Sequence, residues 1–147
     1  MDALDRKILN IMQKNSRITV KQIAEECFIS SPSVSVRLQN LESLGYIRTY
    51  QAVLDHQKLG FLIKAYVNCA VNAKDKQDFY RYIEEIPNVV ECDCITGDYS
   101  MLLKVYFTNT IELDEFINDL QRFGDTKTHI VFSTNVGPRG LQIQINE

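Results

Sequence analysis

Ser30-Ser31-Pro32-Ser33-Val34-Ser35-Val36-Arg37-Leu38-Gln39-Asn40-Leu41-Glu42-Ser43-Leu44-Gly45-Tyr46-Ile47 is the stretch on which the fold turns. Serine at an N-cap (Ser31) with proline at the first helical position (Pro32) starts a helix. Gly45 stops it, because glycine takes the left-handed conformation at a helix end without steric cost. On a helical wheel Val34, Leu38 and Leu41 point one way, with Leu44 at the edge. Ser33, Val36, Gln39, Asn40 and Ser43 point the other way. One side is therefore committed to a core, and the other carries short polar groups and a single exposed valine.

Upstream, two further helices are expected. Leu4, Ile8 and Ile11 form an apolar stripe widened by Leu9 and Met12, with Asp2 as cap and Asp5 in the first turn. The run Thr19-Val20-Lys21-Gln22 reads as a capping box, and Val20, Ile23, Ala24 and Cys27 form the buried side of a two-turn helix. A short connector, Phe28-Ile29-Ser30, separates it from the helix above. Three short helices with a tight turn between the second and third make a helix-turn-helix. The polar end of the third helix then allows close approach to a major groove. A valine suits a thymine methyl, and Asn40 or Gln39 suits the paired hydrogen-bonding edge of adenine. Arg37 leaves two readings open: a phosphate or guanine contact, or an ion pair with Glu42 or an acid of the first helix.

Downstream, Tyr46–Leu54 reads as extended chain, a hairpin or flanking strand. Gly60 marks a boundary between residues 1–60 and 61–147. Beyond it, the pattern predicts a strand at 62–72, a helix at 75–86 and a strand at 89–96. A turn at Gly97-Asp98, a strand at 100–107, a helix at 110–123 and a strand at 127–136 follow. Asn109-Thr110-Ile111-Glu112 is a capping-box candidate. The order βαββαβ predicts a ferredoxin-like α+β domain, with two helices on one side of a four-stranded antiparallel sheet. Ala65, Val67, Cys69 and Val71, with Met101, Leu103, Val105 and Phe107, would face the helices. Leu102, Tyr106 and Val131 would leave the other face too apolar for water, so a second copy is expected there. Tyr66, Tyr106, Phe107 and Phe132 are expected in the core and the dimer interface.

Charge divides along the same line. Residues 1–60 carry eight Lys/Arg against six Asp/Glu, a net of +2, and the remainder carries eight against thirteen, a net of −5. The positive half is the helical one, as a nucleic-acid partner requires. Lys21, Arg37 and Arg48 are the basic candidates for phosphates. Met1-Asp2-Ala3-Leu4-Asp5 is acidic and unlike a secretory leader, and no apolar run approaches the roughly 20 residues of a membrane span. A cytoplasmic chain is expected, with Cys27, Cys69, Cys92 and Cys94 as reduced, mostly buried thiols. His56 and His129 stand in unrelated segments, so neither a metal site nor a cofactor is expected. No Ser/His/Asp grouping or glycine-rich phosphate loop suggests an enzyme.

The pieces Ala3-Leu4-Asp5-Arg6-Lys7-Ile8-Leu9, Ser16-Arg17-Ile18-Thr19, Gln22-Ile23-Ala24, Ile29-Ser30 and Arg37-Leu38-Gln39-Asn40-Leu41-Glu42-Ser43-Leu44-Gly45-Tyr46-Ile47, in this order, resemble the Lrp/AsnC family of feast/famine regulators. Thr96-Gly97-Asp98-Tyr99 extends the likeness into the second half. The resemblance implies a DNA-binding transcriptional regulator with double-stranded DNA as partner. It further implies dimers joined through the C-terminal sheets, tetramers or octamers built from them, and DNA wrapped around the assembly. The expected DNA-contacting set is Lys21, Ser31, Ser33, Ser35, Val36, Arg37, Gln39, Asn40 and Arg48. An amino-acid effector is implied near Gly97, Asp98, Tyr99 and Ser100, although a glycine-aspartate turn is also what any tight hairpin needs. Two departures stand out. Ser100 occupies a position where the family often has aspartate, and Phe28 replaces the usual glycine of the turn. An architectural protein that wraps DNA without an effector is the alternative.

Overall fold

The computed structural model describes residues 1–145 and divides into two compact units. One comprises Met1–Val53 together with the segment that begins at Val136; the other is Leu54–Asn135. The sequence placed the division after residue 60 and assigned everything beyond it to the second domain. Two segments differ: Leu54–Gly60 fall in the sheet unit, and the tail is held against the helical unit by side chains of the first helix.

The helical unit contains α1 (Ala3–Lys14), α2 (Val20–Cys27) and α3 (Ser31–Ser43). Asp2 and Asp5 cap α1 reciprocally, and Thr19 and Gln22 do the same for α2, so each sequence signature forms the hydrogen bonds that its spacing allows. The N-cap of α3 is Ser30 rather than Ser31: its hydroxyl accepts from the Ser33 amide at 3.3 Å, which moves Pro32 one position further into the first turn. Gly45 has φ 75° and follows the end of α3, where the Tyr46 amide donates back to the Leu41 carbonyl at 2.9 Å. Ile8, Leu9, Ile23, Ala24, Cys27, Val34 and Leu41 form the buried core, with Ile47 and Ile143 packed against it. Residues 48–55 adopt no regular structure, so the expected flanking strand is absent from the chain as described.

The second unit is built from β1 (Ile63–Cys69), α4 (Lys76–Glu84), β2 (Val89–Cys94), β3 (Met101–Phe107), α5 (Thr110–Leu120) and β4 (Thr126–Ile130). The sheet order is β2-β3-β1-β4, antiparallel throughout, which is the ferredoxin-like arrangement expected from the sequence. A short 3-10 turn at Ala73–Asp75 precedes α4, another at Gln121–Phe123 takes up the end of the expected second helix, and β4 ends at Ile130 rather than 136. Asn109 caps α5 by accepting from the Ile111 and Glu112 amides. Glu112, however, reaches the Thr108 amide and hydroxyl instead of closing the box on Asn109.

Alternation sorts the sheet into two faces. Ala65, Val67, Cys69, Met101, Leu103, Val105 and Phe107 are buried with Phe79, Ile83, Leu113, Phe116 and Leu120 of the two helices. The opposite face presents Lys64, Tyr66, Asn68, Leu102, Lys104 and Tyr106, all half-buried. On it Lys104 pairs with Glu91 at 3.2 Å. Burial, the largest single influence, lowers the Lys104 pKa, but the hydrogen bond to Glu91, the Glu91 charge and the neighbouring Tyr106 and Tyr66 together outweigh it and raise the value. The His56 ring stacks on Tyr106 at 3.9 Å between centroids and so covers part of this face. Phe132, expected in the core or interface, is fully exposed.

Candidate nucleic-acid interface and effector turn

The turn between α2 and α3 is closed by main-chain bonds. The Ile29 amide donates to the Ala24 carbonyl at 3.1 Å, and Phe28 sits between them at φ 57°, ψ 43°. Phe28 therefore takes the left-handed conformation, which costs a residue with a Cβ roughly 1–2 kcal/mol. Its ring is 90% exposed, with the Lys7 ammonium 5.6 Å from the ring centroid.

From this turn α3 projects with the two sides that its periodicity predicts. Val34 and Leu41 are buried and Leu38 is half-buried, while Ser33, Val36, Gln39, Asn40 and Ser43 are all exposed. An open groove of about 580 Å³ runs along this side, with Pro32, Ser33, Val36, Asn40, Leu44 and Tyr46 in its wall. Ser31 is half-buried. The Ser35 hydroxyl is turned back to the Ser31 carbonyl at 3.2 Å, so it is partly satisfied within the helix.

The basic candidates separate. The Arg37 guanidinium donates to Asp5 at 2.6 Å and to Asp2 at 2.7 Å, so the ion pair with the first helix is the one that forms. Glu42, the other partner considered, instead accepts from the Tyr50 hydroxyl at 2.6 Å; burial and that bond push the Tyr50 pKa up to about 12. Lys21 is exposed beside Glu25 at 4.0 Å. Arg48 is exposed and forms no ion pair among the described residues. Ser30 and Tyr50 were not singled out in the sequence. Only the capping geometry distinguishes Ser30 from Ser31, and nothing local marks Tyr50 as a neighbour of the third helix.

In the sheet unit, the turn between β2 and β3 is closed by the Ile95 amide on the Ser100 carbonyl at 2.9 Å, with Gly97 at φ 107°. Asp98 is exposed and Tyr99 half-buried. The Ser100 hydroxyl accepts from the Val71 amide at 3.0 Å and lies 3.1 Å from the Val71 carbonyl and 3.4 Å from that of Cys69. It is thus committed to the main chain leaving β1. Asp98 and Tyr99 keep their polar atoms available.

Of the cysteines, Cys27 and Cys69 are buried, Cys92 is half-buried and Cys94 is exposed. Burial pushes the Cys69 and Cys92 thiols up to about 11. Among the described residues no three His, Cys, Asp or Glu side chains group as metal ligands, and no helix is long and apolar enough to cross a membrane.

Residues 1–48 match the family model for a winged helix-turn-helix DNA-binding domain, and residues 64–140 match the Lrp/AsnC ligand binding domain. The chain is 32% identical over 133 residues to the HTH-type transcriptional regulator LrpC of Bacillus subtilis, covering 90% of this chain and 92% of that protein. It is 33% identical over 132 residues to LrpA of the same organism, covering 89% and 97%. The solved structure of B. subtilis LrpC superposes with a TM-score of 0.88 at 30% identity, covering 94% of this chain and 99% of that one. With both halves matched and the relatives covered nearly end to end, the chain belongs to the Lrp/AsnC family.

Proposed function

We propose that this protein is a cytoplasmic DNA-binding transcriptional regulator without catalytic activity that acts as a dimer or a larger assembly of dimers. The observation that carries this is the divided surface of α3: one side buried, the other exposing Gln39 and, along an open groove, Ser33, Val36 and Asn40. In the proposed contact, Val36, Gln39 and Asn40 meet base edges. Ser31, Ser33 and the accessible part of Ser35 meet the backbone near the start of the helix. Lys21 and Arg48 supply phosphate contacts, whereas Arg37, held by Asp2 and Asp5, orients α3. Pairing through the open sheet face places two reading helices on one duplex, where half-sites recur about every 34 Å.

Asp98 and Tyr99 are the proposed effector contacts, with Gly97 shaping the turn and Ser100 bracing it. An amino acid is the ligand class that fits, since the Asp98 carboxylate suits an ammonium group. The second reading, an architectural protein that wraps DNA with no effector, is favoured by one observation: the Ser100 hydroxyl is already occupied by main-chain partners. Selection of bound duplexes from a random pool, with and without a mixture of amino acids, tests both readings. Recovery of a sequence motif that shifts with the mixture supports the regulator. Binding without a motif and without response supports the architectural protein.

A further inference from the structure

One face of α1 is used for something other than the core or the recognition helix. Arg6, Asn10 and Gln13, spaced four and three residues apart, lie along one side of the helix. All three bind main chain rather than side chains. Arg6 donates to the Gln144 carbonyl at 3.0 Å, and Gln13 donates to the Leu141 carbonyl at 3.0 Å. Between them, Asn10 donates to the Ile143 carbonyl at 2.8 Å and accepts from the Ile143 amide at 2.9 Å. A carboxamide that satisfies both the N–H and the C=O of one residue acts as a neighbouring β-strand would. Ile143 also packs against the helical core, which adds an apolar anchor. The approach is close at Gly140, where an added Cβ would stand 2.8 Å from the Gln13 Cβ.

We infer that this face of α1 is a docking site for extended main chain, occupied by the chain's own C-terminal segment, and that docking limits how freely the helical unit moves relative to the sheet unit. The linker provides one covalent passage between the units. The ten residues Val131–Gly140 provide the second, and they carry the sequence Gly137-Pro138-Arg139-Gly140 just ahead of the docked stretch. Ten residues span at most about 35 Å, so a docked tail caps the separation of α1 from the end of β4. A tail released from α1 imposes no such cap. For a dimer on paired half-sites, the extra freedom is an entropic cost paid on binding. On a single half-site it has no consequence.

Amide exchange and DNA binding of the full-length chain together test this, using Asn10→Ala and, from the tail side, Gly140→Ala. Neither residue belongs to the proposed DNA contact. The Ile143 amide is expected to exchange more slowly than those of residues 132–136 in the wild type and to lose that protection in both variants. Asn10→Asp, which keeps the acceptor and loses the donor, should retain part of it. Affinity for a selected duplex with two half-sites should fall about tenfold, while affinity for the same duplex with one half scrambled should stay within about twofold. Unchanged exchange at Ile143 would overturn the docking site. Equal losses on both duplexes would overturn the proposed constraint and leave the tail as a structural part of the helical unit. The inference about DNA rests on the function proposed above. A wild-type protein that binds neither duplex would strike that function and this constraint, while the exchange measurement still decides the docking.

Discussion

Arg37, in the middle of the recognition helix, donates a 2.6 Å hydrogen bond to Asp5, whose side chain is only 16% exposed, in the first turn of α1. The same guanidinium also reaches Asp2, so one residue of α3 ties it to the capping box of another helix. The first expectation follows from this geometry. Arg37→Met should destabilise the helical unit by about 1 kcal/mol, the usual worth of a partly exposed ion pair. It should weaken DNA binding without changing the slope of log affinity against log salt, because no phosphate contact is lost. Urea unfolding and salt-titrated binding check the two halves. A slope reduced by about one unit would place Arg37 on a phosphate instead.

Acid should loosen the same junction. The Asp5 amide, and after it Arg37, hold the Asp2 carboxyl below its ordinary value of 3.8. A lowered folded-state value contributes stability above the unfolded value, and this is lost as pH falls through the folded one. Asp2→Asn should therefore be less stable than the wild type at pH 6, with the difference closing below pH 3.8. Thermal midpoints of both proteins across that range check it.

Asn40 is the sharpest probe of the reading face. Asn40→Ala should cost about 1–3 kcal/mol on a selected duplex and much less on random DNA. Equal losses in a competition assay would mean that this side of α3 does not read bases.

Phe28→Gly should raise the stability of the helical unit. Relief of the left-handed strain outweighs the greater freedom of glycine in the unfolded chain, for a net gain of about 0.5–1 kcal/mol. The ring is exposed, so little packing is lost. A lower urea midpoint would show that the contact with Lys7 contributes more than its 5.6 Å separation suggests.

On the sheet unit, Leu102→Glu should yield monomers. Leu102 is half-buried on the open face, in register between Asn68 and Asp93, and a carboxylate there faces a desolvation cost in any sheet-to-sheet pairing. Sedimentation velocity at micromolar concentration distinguishes the species. An unchanged assembly would move the interface elsewhere.

The elements whose partners lie nearby in sequence were legible before the structure. The cap at Asp2, the capping box at Thr19, the stop at Gly45 and the two sheet faces each follow from a short period or a turn residue. The outward set on α3 follows in the same way, because a helix fixes which residues share a side. Four features were not legible. Ser30 and Ser31 are interchangeable as caps until hydrogen bonds are seen. Arg37 could meet a phosphate or guanine, or pair with Glu42 or an acid of the first helix, and only the packing of α1 against α3 shows the pair with Asp2 and Asp5. Ser100 suggested a missing effector ligand, whereas its hydroxyl serves the backbone at Val71, more than two dozen residues away. The polar stripe Arg6-Asn10-Gln13 was not singled out, since nothing in its spacing reveals a chain segment that returns from beyond residue 136.

That return has a bearing on how the protein is made. Residues of α1 are synthesised well before the main chain they bind, Leu141–Gln144. The sheet unit is contiguous from Leu54 to Asn135, so all of its strands are available before that stretch exists. Folding in order of synthesis therefore leaves the helical unit short of one component after every residue of the sheet unit has been made. Until Leu141–Gln144 follow, Asn10 has no backbone partner, and Ile143 is missing from the edge of the core formed by Ile8, Leu9 and Ile23. A chain truncated after residue 140 and released should thus carry a finished sheet unit and a helical unit that protease cleaves more readily than in the full-length protein.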